Sequence, residues 1–159
     1  RGDFGLNVFN SRALAFLREL GLASATVSFE LRHQQVRDLA KLLPCEGIVY
    51  GRLPLMVMEN CITKNNVGCR HGAGSTLTDR TGAQFPVQCV YGCRNEIENS
   101  LPLFLADKAE WRRCGLTSAR LRFTTETADE CAAVLRRYRG EGDYAPEKYT
   151  RGLFYRGVE

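Results

Sequence analysis

A group of cysteines in the middle of the chain is the feature with the clearest chemistry. Its members are spaced C-x₇-C, C-x₁₉-C and C-x₃-C. They are Cys61, Cys69, Cys89 and Cys93. Thiolates are soft ligands that suit Zn²⁺ or an iron–sulfur cluster. The spacing lacks the paired C-x₂-C knuckles of a zinc ribbon and is not a ferredoxin pattern, so it predicts a metal centre without specifying the metal.

The neighbours of two of these cysteines support a ligand role. Gly68 precedes Cys69 and Gly92 precedes Cys93. Glycine beside a ligand lets the backbone approach the sulfur and donate N–H groups to it. His71, two residues after Cys69, is either a further ligand or a solvated residue of a Gly-rich loop.

The other three cysteines have a simpler interpretation. Cys45, Cys114 and Cys131 lie at predicted helix ends or on apolar helical faces, where cysteine usually acts as a small buried apolar residue. The total of seven is odd, and we see no secretion signal. We therefore expect metal-bound thiolates in a reducing cytoplasm rather than a disulfide framework.

The composition is that of an ordinary globular chain with an unusual choice of basic residue. The 159 residues are 44% apolar and 25% charged, with a net charge of +4. Arginine outnumbers lysine 18 to 4, which suits forked contacts to phosphate, although a solvated basic surface explains the charge equally simply. No apolar run is long enough to span a bilayer, so we expect no membrane association. The chain begins with Arg1, and we expect a start inside a longer protein.

Strands and helices alternate along most of the sequence. Period-two and β-branched patterns predict strands at residues 4–9, 25–31, 47–52 and 118–124. Helical spacing of apolar residues predicts helices at residues 34–43, 106–114 and 128–138, with an earlier one capped by Asn10 or Ser11. Residues 17–30 and 111–126 repeat one design of helix, glycine and strand. Such βα units predict a parallel sheet covered by helices.

Four strands are too few for a closed barrel of eight, so we predict an α/β fold, the later half of a TIM-like (β/α)₈ barrel. Within it lies an inserted cysteine-rich segment with a small β-hairpin around Thr81 and Gly82, formed by residues 76–79 and 83–88. The predicted parts are βα units at 1–53, the cysteine-rich segment at 54–100, a returning αβα unit at 101–140 and a tail at 141–159.

Three charged residues follow predicted strand ends, where barrel enzymes place their chemistry. They are Glu30, Arg52 and Glu126, and they are the catalytic candidates. Carboxylates there serve acid–base chemistry, or form ion pairs with neighbouring arginines. The sequence contains no hydrolase nucleophile elbow, zinc-protease helix, phosphate loop or dinucleotide fingerprint. The remaining candidate for a hydrolase is a thiol–imidazole pair of Cys69 with His71, with no residue that orients the imidazole.

Several motifs together resemble one family. They are, in order, GDFGLNVFNSRAL, SFELR, VYGRLPLMVMENC, LTDRTGAQFPV, CRNEIENS, FTTE and TRGLFYRGV. The chain resembles the C-terminal part of the larger bacterial members of the U-32 collagenase-like peptidases. The resemblance implies a TIM-like barrel with a cysteine-rich region that holds a [4Fe–4S] cluster.

The resemblance also implies a ligand set. Cys61, Cys69 and Cys93 match cluster positions of the family. Family members commonly have another cysteine shortly after the second one, where this chain has His71. The fourth ligand is therefore Cys89 or His71, or the cluster has three cysteines and an open iron.

Two activities are implied by the resemblance. The family name records a peptidase or collagenase activity, while other members resemble oxygen-independent hydroxylation factors that act on ribosomal RNA or a quinone precursor, with prephenate as the implied oxygen source. We expect cluster-dependent modification of RNA or a small aromatic compound in the cytoplasm, because no triad is present and the thiols form a group. The alternatives are a peptide hydrolase independent of the cluster and a non-catalytic, zinc-stabilised RNA-binding module.

Overall fold

The computed structural model describes residues 1–68 and 75–158, and within these ranges the chain is mixed α/β with two sheets and five α-helices. The prediction of an α/β fold is confirmed, and the described strands form no closed barrel. The helices are α1 (Ser11–Glu19), α2 (His33–Leu39), α3 (Ile62–Val67), α4 (Glu110–Arg113) and α5 (Ala128–Arg139). The strands are β1 (Ala25–Thr26), β2 (Cys45–Gly51), β3 (Pro54–Met58), β4 (Ser75–Thr78), β5 (Gln84–Val90), β6 (Arg94–Glu98), β7 (Leu103–Phe104) and β8 (Ser118–Arg122).

The chain divides into two compact units. The first unit contains Arg1–Gly51 and Leu103–Glu159, and the second contains Arg52–Pro102. The second unit holds the segment that the sequence predicts as a cysteine-rich insertion at 54–100. No helix in the described part of the chain is long and apolar enough to cross a membrane.

Strand β2 is the centre of the first unit, and all of its residues are buried. It pairs in parallel with β1 and with β8. Its last two residues also pair antiparallel with β7. Helix α2 contacts both α1 and α4, and the apolar core of this unit includes Leu14, Val36, Leu39 and Cys45. Parallel strands joined through helices are the arrangement that the βα alternation predicts.

The first predicted strand, by contrast, is wrong. A 3₁₀ helix at Phe4–Leu6 replaces it, with isolated parallel bridges at Gly2 and Val8 on either side. The Asp3 carboxylate accepts the first N–H of this turn at 2.7 Å, and Asn7 ends it in the left-handed region with φ of 47°. Capping by the Asp3 side chain therefore stabilises a 3₁₀ turn here, despite the β propensity of the apolar residues.

The carboxyl end of β2 depends on a glycine. Gly51 has φ of 112°, and a Cβ placed on it would lie 1.9 Å from the carbonyl oxygen of Arg122. Only glycine allows the backbones of β2 and β8 to approach this closely. This close approach brings the carboxyl end of β2 against that of β8, and Glu126 lies in the loop that follows β8.

A buried carboxylate lies near the other end of β2. The Glu46 side chain is 8% exposed and accepts hydrogen bonds from Thr26 Oγ1 at 2.9 Å and from Arg120 Nε at 2.7 Å. Arg1 also forms an ion pair with it, and Ser118 Oγ lies 3.3 Å away. These partners come from β1, β8 and the chain start, so the charge joins three parts of the first unit. A charge this buried is tolerated because it is paired and hydrogen-bonded.

Tyr138 of α5 connects β2 to the residue that follows β7 through its hydroxyl group. Its Oη donates to the Val49 carbonyl oxygen at 2.6 Å and accepts the Leu105 N–H at 2.9 Å. Both backbone groups are buried, and the ring packs on Tyr50 and Phe104. Burial raises the pKa of Tyr138, so the hydroxyl stays protonated and keeps its donor role.

The second unit is a four-stranded antiparallel sheet in the order β3-β6-β5-β4. Strands β4 and β5 form a hairpin around Thr81 and Gly82, where the sequence predicts one. Asp79 organises the turn, since its Oδ1 accepts hydrogen bonds from Thr81 N at 2.7 Å and from Ala83 N at 3.0 Å. The Thr81 hydroxyl also donates to Asp79 Oδ1, at 2.7 Å, and this side-chain hydrogen bond is the largest of the effects that lower the pKa of Asp79.

Replacing Tyr138 with phenylalanine should destabilise the first unit by about 1–3 kcal/mol, because it leaves the Val49 carbonyl and the Leu105 N–H buried without this partner. Urea unfolding followed by circular dichroism measures the change. The matched control is Tyr149→Phe, since Tyr149 is 38% exposed and its loss should cost less than about 0.5 kcal/mol. Equal effects of the two substitutions would contradict the bridging role of Tyr138.

Candidate metal centre

The register of the antiparallel sheet places three of the predicted ligands at one end of it. Met58 at the end of β3 pairs with Asn95 of β6, and Asn95 pairs with Cys89 of β5. Cys61 follows β3 by three residues, and Cys93 lies in the turn that joins β5 to β6. The elements thus place Cys61, Cys89 and Cys93 at the same end of the strands of the second unit.

Cys61 is the residue that begins helix α3. It is 7% exposed, and its Sγ accepts a hydrogen bond from the Lys64 N–H at 3.3 Å. A serine, threonine or aspartate usually takes this role at a helix start, and here a sulfur does so. The position holds the Cys61 sulfur in place and supplies it with a backbone donor.

A single buried amide lies between Cys61 and Cys89. Asn95 is 0% exposed, and its Oδ1 accepts the Ile62 N–H at 2.7 Å. Its Nδ2 lies 3.5 Å from Cys89 Sγ and 3.2 Å from the Arg94 carbonyl oxygen. The residue directly after Cys61 and the sulfur of Cys89 are therefore joined through one side chain.

The turn that carries Cys93 is tight and exposed. Tyr91 and Gly92 both have positive φ, at 48° and 87°. Cys93 is exposed, whereas Cys89 at the end of β5 is half-buried. Beside the turn, Arg94 forms an exposed ion pair with Glu59 at 2.9 Å, which links β6 to the segment before Cys61.

Two of the predicted ligands, Cys69 and His71, lie outside the described residues. The described chain stops at Gly68, the residue that ends α3, and resumes at Ser75, whose hydroxyl lies 3.0 Å from Thr63 Oγ1. Within residues 1–68 and 75–158, no group of three or more His, Cys, Asp or Glu side chains is placed to hold a metal ion.

The hydrogen-bond roles of the sulfurs separate two kinds of cysteine. Cys45 donates its S–H to the Leu43 carbonyl at 3.1 Å, and Cys114 donates to the Glu110 carbonyl at 3.1 Å. Burial raises the pKa of the Cys45 thiol, and it is the main cause that raises the pKa of Cys114 to about 11. These two are protonated core thiols, as their sequence positions predict.

The sulfurs of Cys61 and Cys89 have the opposite role. Each accepts a hydrogen bond from an N–H group, Cys61 from Lys64 and Cys89 from Asn95. N–H groups that donate to sulfur are a common feature of metal sites with cysteine ligands, where they tune the bound metal. This hydrogen bonding fits a ligand role for Cys61 and Cys89.

Of the three catalytic candidates, Glu126 has the most structured surroundings. Its Oε2 accepts the Thr124 N–H at 2.7 Å and the Thr125 N–H at 3.1 Å, which shapes the loop after β8. Its carboxylate also faces the Tyr50 hydroxyl. Burial is the main cause that raises the pKa of Tyr50, and the negative charge of Glu126 is the second. Tyr144 is a further hydrogen-bond partner of the Tyr50 hydroxyl.

The other two candidates make different contacts. Glu30 is half-buried in the turn after β1, and its backbone N–H donates to Ser28 Oγ at 3.3 Å. Arg52 begins the second unit, where its guanidinium donates to the carbonyl oxygens of Asn99, at 2.9 Å, and Ser100. Their catalytic role stays a prediction.

Asn95 is the site residue that the sequence pattern does not indicate as functional. It lies in the motif CRNEIENS, two residues after Cys93. An amide is uncommon inside a strand, and a polar residue at a buried strand position needs partners. That mismatch is the only sequence feature that could have identified it, since its partners lie elsewhere in the chain.

No protein-family model, curated protein or solved structure matches the chain. The functional proposal is therefore supported by the geometry of the cysteines and by the motifs of the sequence.

Alkylation with iodoacetamide should sort the cysteines of the metal-free, folded protein. At pH 8 a thiol with a pKa of about 11 is ionised in about one molecule in a thousand, so Cys114 should react very slowly, and buried Cys45 should behave alike. Exposed Cys93 should react first. Mass spectrometry of tryptic peptides measures the order, and early labelling of Cys45 or Cys114 would show that their thiols are not held in the core.

Proposed function

We propose that the protein is a U-32-type iron–sulfur protein that takes part in cluster-dependent modification, such as oxygen-independent hydroxylation of RNA or of a small aromatic compound. One observation carries the proposal. The buried amide of Asn95 ties the Cys89 sulfur to the backbone of Ile62, the residue after Cys61, so two ligand candidates that are distant in sequence lie near the same side chain.

The cysteines at this end of the antiparallel sheet support the proposal of a cluster there. The ligands would be Cys61, Cys69 and Cys93, with Cys89 or His71 as the fourth. Cys69 directly follows Gly68, which ends the helix that Cys61 begins. A bound [4Fe–4S] cluster would supply electron transfer and an iron that can act as a Lewis acid. Structural zinc on the same thiolates is the alternative occupant.

The first unit supports the proposed architecture. We infer that the parallel strands β1, β2 and β8 belong to a TIM-like (β/α)₈ barrel whose other strands come from outside this chain. Glu30 and Glu126 follow the carboxyl ends of β1 and β8, which is where barrel enzymes place their chemistry. The arginine-rich composition suits a phosphate-bearing substrate such as RNA. A cytoplasmic setting fits ligands that must stay as thiolates.

The contacts of His33 argue against its serving as the base of a cysteine hydrolase, while the candidate pair Cys69 and His71 lies outside the described residues. A cysteine nucleophile needs an imidazole oriented beside it. His33, the one histidine in the described part of the chain, has Nδ1 3.3 Å from the Phe154 carbonyl oxygen and its ring against Phe154 and Tyr155. Its ring is thus held by the C-terminal segment of the first unit.

Anaerobic purification should yield brown protein with broad visible absorbance, and with iron and acid-labile sulfide in equal amounts. Cys61→Ala and Cys93→Ala should each lose most of the iron, because each removes a ligand thiolate. The matched control is Cys131→Ala, a half-buried cysteine of α5 that should keep full iron content.

Two outcomes would contradict the proposed function. Colourless protein with stoichiometric zinc would favour the structural, RNA-binding alternative. Peptide cleavage that persists in both Cys61→Ala and Cys93→Ala would favour a hydrolase that does not use the cluster.

A further inference from the structure

We propose that a surface cavity at the amino end of β8 binds a mononucleotide, through its flat base and its phosphate group. The proposal is independent of the metal centre, because every lining residue belongs to the first unit and the cysteine-rich segment lies in the second. The cavity is also distinct from the catalytic candidate Glu126, which follows the opposite end of β8.

The cavity is formed by α4 and by the connection that leads from α4 into β8. Its volume is about 290 Å³, close to the lower limit of about 300 Å³ for small-molecule sites, so it holds one small molecule. The lining residues are Trp111, Arg112, Leu116, Thr117, Ser118 and Ala119. Four of the six precede β8, so a barrel strand that pairs with the free edge of β8 leaves most of the wall in place.

Arg112 gives the cavity a flat cation in a fixed position. Its guanidinium carbon lies 4.4 Å from the centre of the Trp111 ring, and its Nη2 donates to the Tyr138 carbonyl oxygen at 2.8 Å. These two contacts hold the guanidinium group from one side, while the side chain as a whole is exposed. An arginine plane stacks well on a nucleobase, so its free side favours a ligand with a flat ring.

Two hydroxyl groups determine what the ligand must carry. Thr117 Oγ1 donates its hydrogen to the Cys45 carbonyl oxygen at 2.9 Å, and Ser118 Oγ donates its hydrogen to the Glu46 carboxylate at 3.3 Å. Each hydroxyl therefore has only lone pairs left for a ligand. The ligand has to supply N–H or O–H groups, as the amino group of a base and the hydroxyls of a ribose do.

The charge around the cavity favours an anion. Arg112 is the one charged residue among the six, and Arg113 follows it in α4. Arg139 directly follows the carbonyl group that Arg112 binds. Arg113 and Arg139 are both exposed, and neither forms an ion pair within residues 1–68 and 75–158. The forked N–H groups of such arginines match phosphate oxygens, so a base with a phosphate attached fits the cavity and its surroundings together.

The chain offers a specific readout, because Trp111 is its only tryptophan. Adenosine monophosphate is the probe, and its addition to the unaltered chain should quench the tryptophan emission in a saturable way. Adenosine lacks the phosphate and ribose 5-phosphate lacks the base, so each should bind about 10-fold more weakly, as isothermal titration calorimetry measures. Equal binding of either compound, or no saturable quenching by adenosine monophosphate, would overturn the proposal.

Two variants locate the binding in this cavity. Arg112→Gln removes the cation on which the base stacks and should weaken the binding of adenosine monophosphate about 10-fold. Ala119→Phe fills the cavity without changing any charge and should abolish the saturable quenching. This second variant and the comparison of the three compounds test the proposal even where Arg112→Gln does not fold.

The matched control is Arg18→Gln. Arg18 is an exposed arginine of α1 that does not line the cavity, so the substitution makes the same change of charge elsewhere. Its affinity for adenosine monophosphate should stay within a factor of about two of the unaltered chain. An equal loss in Arg18→Gln and Arg112→Gln would show a general attraction by charge, and unchanged binding in Ala119→Phe would place the ligand elsewhere. Either result would overturn the proposal and leave the proposed function untouched.

Discussion

A strand that is buried along its whole length must satisfy all of its polar groups inside the protein, and β2 imposes this condition on the first unit. Its backbone pairs with β1, β7 and β8, and the Tyr138 hydroxyl donates a hydrogen bond to the Val49 carbonyl oxygen. Its one carboxylate, Glu46, is neutralised by Arg1 and Arg120. The arrangement of the surrounding elements follows from these obligations as much as from apolar packing.

The second unit meets the same condition with an uncharged group. Asn95 lies fully buried in β6, and each polar atom of its amide has a partner. A fully satisfied polar group in a small core specifies one arrangement of the elements around it, because every alternative leaves a buried atom unpaired. This is why one side chain defines the relation between the start of α3 and the end of β5.

The same contacts explain why the cysteines of this chain are not equivalent. Cys45 and Cys114 face carbonyl oxygens in the core of the first unit, while the sulfurs of Cys61 and Cys89 face N–H groups. The strand ends and the helix start that carry Cys61 and Cys89 are held by backbone pairing, and such rigid elements place metal ligands more accurately than free loops do. The proposed centre thus combines two preset sulfurs with the exposed Cys93 of a tight turn.

Patterns that act over a few residues were enough to predict part of this structure. The βα alternation gave the α/β class, Asn10 caps α1 as the sequence indicates, and the turn at Thr81 and Gly82 joins a hairpin. The same local logic was wrong at Phe4–Leu6, where the Asp3 cap outweighs strand propensity, and it missed β3 and β6 because their pairing joins distant segments.

Only the tertiary structure decided the partners of the buried polar groups. Asn95 meets Ile62 across 33 residues, and Arg120 meets Glu46 across 74. The sequence by itself determined the α/β class and predicted that a group of its cysteines binds a metal. Which sulfurs face an N–H and which face a carbonyl depends on contacts between segments far apart in the chain, and no local pattern encodes such contacts.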